Sequence, residues 1–246
     1  MEQGGGAAVP IMQTGSRKGT KYGVTTCAIG DIHGCHASLS ALLDRVVDRA
    51  DRLVFLGDYI DRGPETKKVL DLLLALHREH RQVIFLMGNH ELMLRQYLAG
   101  EDRSIYLEVG GRQTLASYGI PAGLEGRAVR AALPPSHIAF LSDLPLHWQD
   151  EHAIYVHAGL QPGRHLSQQT ADWCLWARDR FIRSDYDFGK PVVFGHTVFE
   201  QPLVQANKIG IDTGAAYGGR LTAVLLPEME CISVPGEQVH PYGADL

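Results

Sequence analysis

Cysteine is scarce. The 246 residues hold four (Cys27, Cys35, Cys174 and Cys231), scattered along the chain and with no CxxC pair. That argues against a disulfide framework and leads to an expectation of reduced thiols in a cytoplasmic protein. Long apolar runs are also missing: nothing approaches a membrane span, and Met1 to Tyr22 is rich in Gly, Ser and Thr without the apolar stretch of a signal peptide. Basic charge is short as well, with 23 Lys and Arg against 28 Asp and Glu and a formal charge of -5. A surface for a nucleic-acid duplex shows as a basic excess, so that partner is excluded. Gly15 to Thr20 lacks both the GK[ST] ending of a P-loop and a preceding strand.

What is present is an ordinary globular balance, 45% hydrophobic and 21% charged, with 12 histidines. This apolar content excludes disorder over most of the chain. The text past residue 22 then alternates. Val24 to Ile29, Leu53 to Leu56 and Val83 to Met87 are short apolar runs, each followed by Gly and a polar residue. Between them, Leu39, Leu42, Leu43, Val46 and Val47 recur at helical spacing, as do Val69, Leu72, Leu73 and Leu76 behind Pro64. A third helical pattern runs from Glu91 to Leu98. This βαβαβ order predicts a parallel or mixed sheet with right-handed crossovers.

From Ala99 to Pro145 the pattern breaks into short helical pieces punctuated by Gly and Pro, with Ser136 placed to cap a helix through Leu144. We read residues 99–145 as an inserted cap. Strand language returns at Ala153 to Val156, Val192 to Phe194, Lys208 to Ile211, Leu221 to Leu226 and Cys231 to Val234, a β-rich half expected to supply a second sheet. The reading is one α/β domain over 23–234, between a mobile tail at 1–22 and a second tail at 235–246.

One device recurs: an apolar strand, a glycine, then a side chain of the kind that holds metals. It appears as AIGD (Asp31), FLGD (Asp58), LMGN (Asn89) and VFGH (His196), with YVHAG (His157) a close variant. Strand ends of open α/β sheets form the crevice where ligands bind, and Gly permits the sharp turn and close approach needed there. A single Asp after a strand is an ordinary turn or cap residue; five such ends are not explained by capping. Asp31-Ile32-His33 adds a second ligand on one side of an extended segment. Asp31, His33, Asp58, Asn89, His157 and His196 make an oxygen and nitrogen set large enough for two divalent ions sharing a carboxylate. Such a set suits Mn²⁺, Fe or catalytic Zn²⁺ better than structural zinc or Mg²⁺.

Between these ligands stand residues of another kind. Asp61 and Arg62 share one short loop with Asp58, and His90 directly follows Asn89. An Arg beside a dimetal centre can bind phosphate oxygens bidentately, and a His oriented by a carboxylate can protonate a leaving alkoxide.

GDIHG at 30–34, GDYIDRG at 57–63, GNHE at 88–91, HAGL at 157–160 and GHT at 195–197 resemble, in order, the signature motifs of the phosphoprotein phosphatase family of calcineurin-like metallophosphoesterases. Chain length and Trp176-Ala177-Arg178 look most like the small bacterial and phage phosphatases. The resemblance implies a two-sheet β-sandwich core flanked by helices. It implies that Asp31, His33 and Asp58 hold one metal, with Asp58 bridging to a second completed by Asn89, His157 and His196. It further implies His90 as general acid oriented by Asp61, and Arg62, Arg178 and Asn89 on the substrate phosphate. The implied activity is hydrolysis of phosphoserine and phosphothreonine in proteins, phosphotyrosine being a further candidate, by direct attack of a metal-bridging hydroxide. Symmetrical cleavage of dinucleoside tetraphosphates is the alternative. Enzymes of that type typically lack the Asp of DRG, which this chain has as Asp61.

The bland readings are set beside these. His36, His77, His80, His137, His147, His152, His165 and His240 fit no motif and read as surface or satisfied core. Glu91 reads equally as a helix-start charge or as support for the site. Gly110-Gly111-Arg112 reads as a turn before a lid, Cys35 as inert, and Trp173 and Trp176 as packing residues. Asp212-Thr213-Gly214 and Tyr217 are candidates for the rim of the site.

Overall fold

In the computed structural model, residues 23–79, 82–101 and 103–237 are described. The expected tail at 1–22, His80 and His240 lie outside them. Eleven strands occur among the described residues. They are β1 (Thr26–Ile29), β2 (Arg52–Phe55), β3 (Val83–Phe85), β4 (His147–Gln149), β5 (Ile154–Val156), β6 (Val192–Phe194), β7 (Leu203–Val204), β8 (Lys208–Gly210), β9 (Asp212–Thr213), β10 (Arg220–Leu226) and β11 (Glu230–Pro235).

The first three apolar runs become the parallel strands β1, β2 and β3, joined by α1 (His36–Val46) and α2 (Thr66–Glu79). On the other side of β1 the chain returns antiparallel as β10 and then β11, giving the order β11-β10-β1-β2-β3, with β9 also on β10. The second sheet has the order β4-β5-β6-β8-β7, with β5, β6 and β8 parallel. This is the mixed two-sheet fold that the motifs imply. The β-rich second half, however, is divided. Its last three strands complete the first sheet, because β10 pairs antiparallel with the free edge of β1 and carries β9 and β11 with it.

Alternation along each strand separates three apolar layers. Cys27, Ile29, Leu53 and Phe55 face Leu39, Leu42, Val69 and Leu73 of α1 and α2. Ala28, Val54, Leu86 and Val224 face Tyr155, Val193 and Ile209 between the sheets. Val156, Val192 and Phe194 cover the outer side against Phe181 and Cys174. Each such fully buried Val, Leu or Phe contributes about 1.5–3 kcal/mol.

Two local readings need correction. Ser136 is not the N-cap of its helix: the helix is Pro135–Ser142 with Pro134 at the cap, since Pro135 has no N–H to satisfy and its fixed φ suits the first turn. α2 begins at Thr66, two residues beyond Pro64. Residues 103–142 fold as helical segments: 103–106, a kinked turn at 107–111, then 112–117, 126–132 and 135–142. No helix among the described residues is long and apolar enough to cross a membrane. For the site, the result is that Gly30, Gly57 and Gly88 lie within three residues past the ends of β1, β2 and β3, and His157 and Gly195 directly follow the parallel β5 and β6.

Candidate metal centre

The loops that leave these strand ends are knitted together by their backbones. Ile32 and His33 N–H groups donate to the Asp58 carbonyl at 3.1 and 2.8 Å, and Gly63 N–H donates to the His33 carbonyl at 2.9 Å. Five of the predicted site residues take a left-handed backbone: His33 (φ 46°), Asp58 (φ 51°), Asp61 (φ 71°), Arg62 (φ 63°) and His196 (φ 62°). For residues with a Cβ this costs about 1–3 kcal/mol each, and it persists where surrounding structure over-determines the turn. The strain aims all five side chains into one crevice.

Asp58 is the centre of it. Its Oδ2 lies 3.4 Å from His33 Nε2 and 4.0 Å from His90 Nε2, while Oδ1 lies 3.6 Å from His157 Nε2. Two sets of potential ligand atoms therefore share Asp58: one with His33 and His90, the other with His157 and His196. Asn89 Oδ1 faces His157 Nε2 at 2.9 Å and His196 Nδ1 at 3.0 Å. Asp31 is fixed by the His196 N–H, which donates to its Oδ2 at 3.0 Å. The recurring glycines now have a cause. A Cβ at Gly88 would stand 2.1 Å from Asp58 Oδ1, and one at Gly195 would stand 2.1 Å from Asp31 Oδ1.

The donor chemistry fits cations. His33 Nδ1–H donates to the Ile60 carbonyl at 2.8 Å and His157 Nδ1–H to the Leu56 carbonyl at 3.1 Å, which leaves both Nε2 atoms as lone pairs aimed at Asp58. Burial holds the His33 and His157 rings below the ordinary imidazole range, and burial with the neighbouring His157 takes His196 down to about 3. A lowered imidazole favours the neutral ring that a ligand must present. Burial would raise the Asp58 carboxyl, but His157, His90, His33 and Arg62 hold it below the usual carboxylate range. Asp31 is pushed well up by burial and by the carboxylates of Asp212 and Asp58. Asp31 Oδ1 and His196 Nε2 are buried without a hydrogen-bond partner among the described residues. Two divalent ions would satisfy both orphaned atoms and offset the crowded carboxylates.

Glu91, undecided from sequence, is fully buried and braces the centre. Its carboxylate accepts from the N–H groups of Asp58 (2.8 Å), Tyr59 (2.9 Å) and Gly88 (2.9 Å), tying two ligand loops together. Beside it, His90 Nδ1 lies 2.7 Å from Asp61 Oδ2, and both residues are buried. The far oxygen of Asp61 accepts from Tyr106 (2.9 Å) and Thr114 (2.7 Å), two residues the sequence reading missed because nothing local marks them. Gly110 belongs to the same support rather than to a lid. Its carbonyl accepts from Arg62 N–H at 3.2 Å, and a Cβ there would meet Arg62 N at 2.6 Å.

Arg62 reaches His33 Nε2, with its guanidinium 5.3 Å from the centre of the half-exposed Tyr217 ring, so Tyr217 stands on the rim as expected. Asp212 is buried close enough to raise Asp31, and its own carboxyl is pushed by burial to about 6. Arg178 is exposed at the head of the helix Asp179–Ile182, and its charge bears on the His196 ring. Trp176 is not a packing residue: it is 43% exposed, with its ring edge-on to His196 at 6.0 Å. It walls two recesses, one of about 350 Å³ with Trp173, Arg178 and Arg180, the other of about 340 Å³ with Met93, Gln96 and Ile105. Cys35 is buried, with burial pushing its thiol up to about 12, consistent with an inert role.

Comparison with known proteins agrees with this geometry. The family model described as Calcineurin-like phosphoesterase matches residues 24–200. A bis(5'-nucleosyl)-tetraphosphatase PrpE [asymmetrical] of Geobacillus thermodenitrificans (strain NG80-2) is 30% identical, over 86% of this chain and 94% of its own. A solved structure assigned provisionally as a diadenosine tetraphosphatase is 26% identical, with a TM-score of 0.67 over 88% of this chain and 96% of that one. The cold-active protein-tyrosine phosphatase of a Shewanella species shares the fold at 20% identity, with a TM-score of 0.63 over 85% of this chain and 77% of that one. With the family model spanning most of its length, the chain belongs to the calcineurin-like metallophosphoesterases.

Proposed function

We propose that the chain is a two-metal phosphomonoesterase acting on phosphoserine and phosphothreonine in proteins, with phosphotyrosine as a further substrate, in a cytoplasmic setting. The observation that carries this reading is the buried His90–Asp61 pair beside Asp58. Asp61 accepts the Nδ1 proton of His90, so Nε2 faces the crevice as the atom that delivers a proton. An alkoxide cannot leave without one, whereas a nucleotide released from a phosphoanhydride leaves as a far more stable anion. A positioned acid of this kind contributes about 10²–10⁴-fold.

Asp31, His33 and Asp58 would hold one ion, and Asp58, Asn89, His157 and His196 the other, with Mn²⁺ the best match to the donors and Fe or Zn²⁺ as substitutes. When bound, the ions supply Lewis-acid activation of water and neutralise phosphate charge. Arg62, stacked on Tyr217, and Arg178 at the rim would hold the phosphate oxygens of a phosphoprotein or small phosphoester. The test is a comparison of kcat/KM on a phosphoserine peptide and on diadenosine tetraphosphate after Mn²⁺ reconstitution. The account expects the peptide to be preferred.

A second reading is off-centre cleavage of dinucleoside tetraphosphates. It is supported by the activity for which the 30%-identical Geobacillus relative is named and by the paired recesses beside Trp176, which offer room for two substituents of a phosphate chain. In the same comparison, preference for the tetraphosphate with release of unequal nucleotides would favour it.

A further inference from the structure

The segment between α3 (Asn89–Ala99) and β4 carries no recognisable code in sequence, yet two of its hydroxyls end on Asp61. Tyr106 Oη lies 2.9 Å and Thr114 Oγ1 lies 2.7 Å from Asp61 Oδ1. Each of the two residues is 1% exposed, and Asp61 is fully buried. The protons can be counted. Asp61 N–H, a donor only, lies 2.9 Å from Thr114 Oγ1 and 3.3 Å from Thr66 Oγ1, and the two threonine oxygens are 3.1 Å apart. Thr114 therefore accepts from the Asp61 backbone and gives its one proton to the Asp61 carboxylate. Tyr106 gives the second. Oδ1 is then saturated by two donors, and Oδ2 is left to His90 Nδ1–H at 2.7 Å. Turning the carboxylate would break three hydrogen bonds at once in a site buried from solvent. The same clamp holds Asp61 in its left-handed backbone turn.

We propose that Tyr106 and Thr114 are positioning residues for the proton donor. They hold the Asp61 carboxylate in the orientation that presents His90 Nε2 to the leaving group. The helical segment that carries them is thereby part of the catalytic support and not a cover over it. This rests on the reading of His90 as the donor of a proton to an alkoxide.

The experiment compares Tyr106→Phe and Thr114→Val with the Mn²⁺-loaded wild type on two substrates, a phosphoserine peptide and p-nitrophenyl phosphate. Nitrophenolate leaves without a proton, so loss of the clamp should lower the peptide-to-nitrophenyl ratio of kcat by about tenfold, a part of the full acid contribution. Thr114→Ser, which keeps the hydroxyl, should restore the ratio. In an Asp61→Asn background, neither substitution should change it further. A second readout needs no turnover. In the protein loaded with diamagnetic Zn²⁺, the Nδ1 proton of His90, assigned by its loss in His90→Asn, should give a sharp downfield ¹H resonance that broadens in both variants. An equal fall on both substrates, additive losses in the Asp61→Asn background, or an unchanged resonance would each overturn the proposal. If the wild type turns over neither phosphomonoester, the proposed function fails on its own, and the resonance still decides the clamp.

Discussion

Gly88 lies so close to Asp58 that a Cβ on it would stand 2.1 Å from the carboxylate oxygen, and Gly195 stands in the same relation to Asp31. Glycine is thus used at these two strand ends because a ligand carboxylate occupies the space of the side chain. The strand-glycine-ligand device is a packing rule as well as a motif.

Alanine at Gly195 should leave the fold intact and loosen the metals, whereas at Gly88 a Cβ would also meet the Asp58 backbone nitrogen and must shift the loop itself. For Gly195→Ala we expect metal affinity to fall by about 10–100-fold, the usual cost of disturbing the groups that orient ligands. Titration of the metal-free protein with Mn²⁺ measures this, with circular dichroism reporting the fold. Unchanged affinity would mean that Asp31 is not a ligand.

The two ligand sets share one carboxylate. Asp58→Asn should therefore release both ions, not one, when metal content is measured after desalting. Retention of one ion per chain would show that the two sites are separate.

Away from the centre, His137 sits 2% exposed between the Tyr118 hydroxyl at 2.6 Å and Asp71 at 3.1 Å. Burial lowers its pKa from 6.5, against the opposing pull of Asp71. As pH falls through 6.5 the unfolded chain takes up a proton that the folded chain refuses. The stability His137 contributes is therefore complete above about pH 6.5 and is lost as pH falls toward its depressed folded value. His137→Gln should cost about 1 kcal/mol at neutral pH through the lost hydrogen bonds. The gap to wild type should narrow between about pH 6.5 and 5. Thermal melts across that range check it, and a gap that widens on acidification would contradict the assignment.

How much of this was legible in sequence depends on distance along the chain. Each ligand is announced locally, since Asp31, Asp58, Asn89 and His196 follow a strand and a glycine, and His90 and Asp61 sit within the same short loops. The convergence of five strand ends then follows from parallel pairing. What sequence did not show is long-range. Tyr106 and Thr114 reach Asp61 across 45 and 53 residues, from helices whose only local signal is an apolar face. Glu91 had two equal readings until its three backbone donors were in view. The return of β10 and β11 to the first sheet depends on which edge was free, and strand propensity carries no record of that. Ser136 was misplaced by one competing local rule, the preference for proline at the first helical position.

The central claim is that His90, held by Asp61, protonates a poor leaving group in a two-metal site. Its most direct measurement is the dependence of kcat/KM on leaving-group basicity, from nitrophenyl to alkyl phosphates, for the Mn²⁺-loaded wild type and His90→Asn at matched metal content. The account predicts a shallow dependence in the wild type and a steep one in the variant, with about a 10²–10⁴-fold loss on the alkyl phosphate and little on the most activated aryl phosphate. Parallel lines, displaced equally at every leaving group, would contradict it.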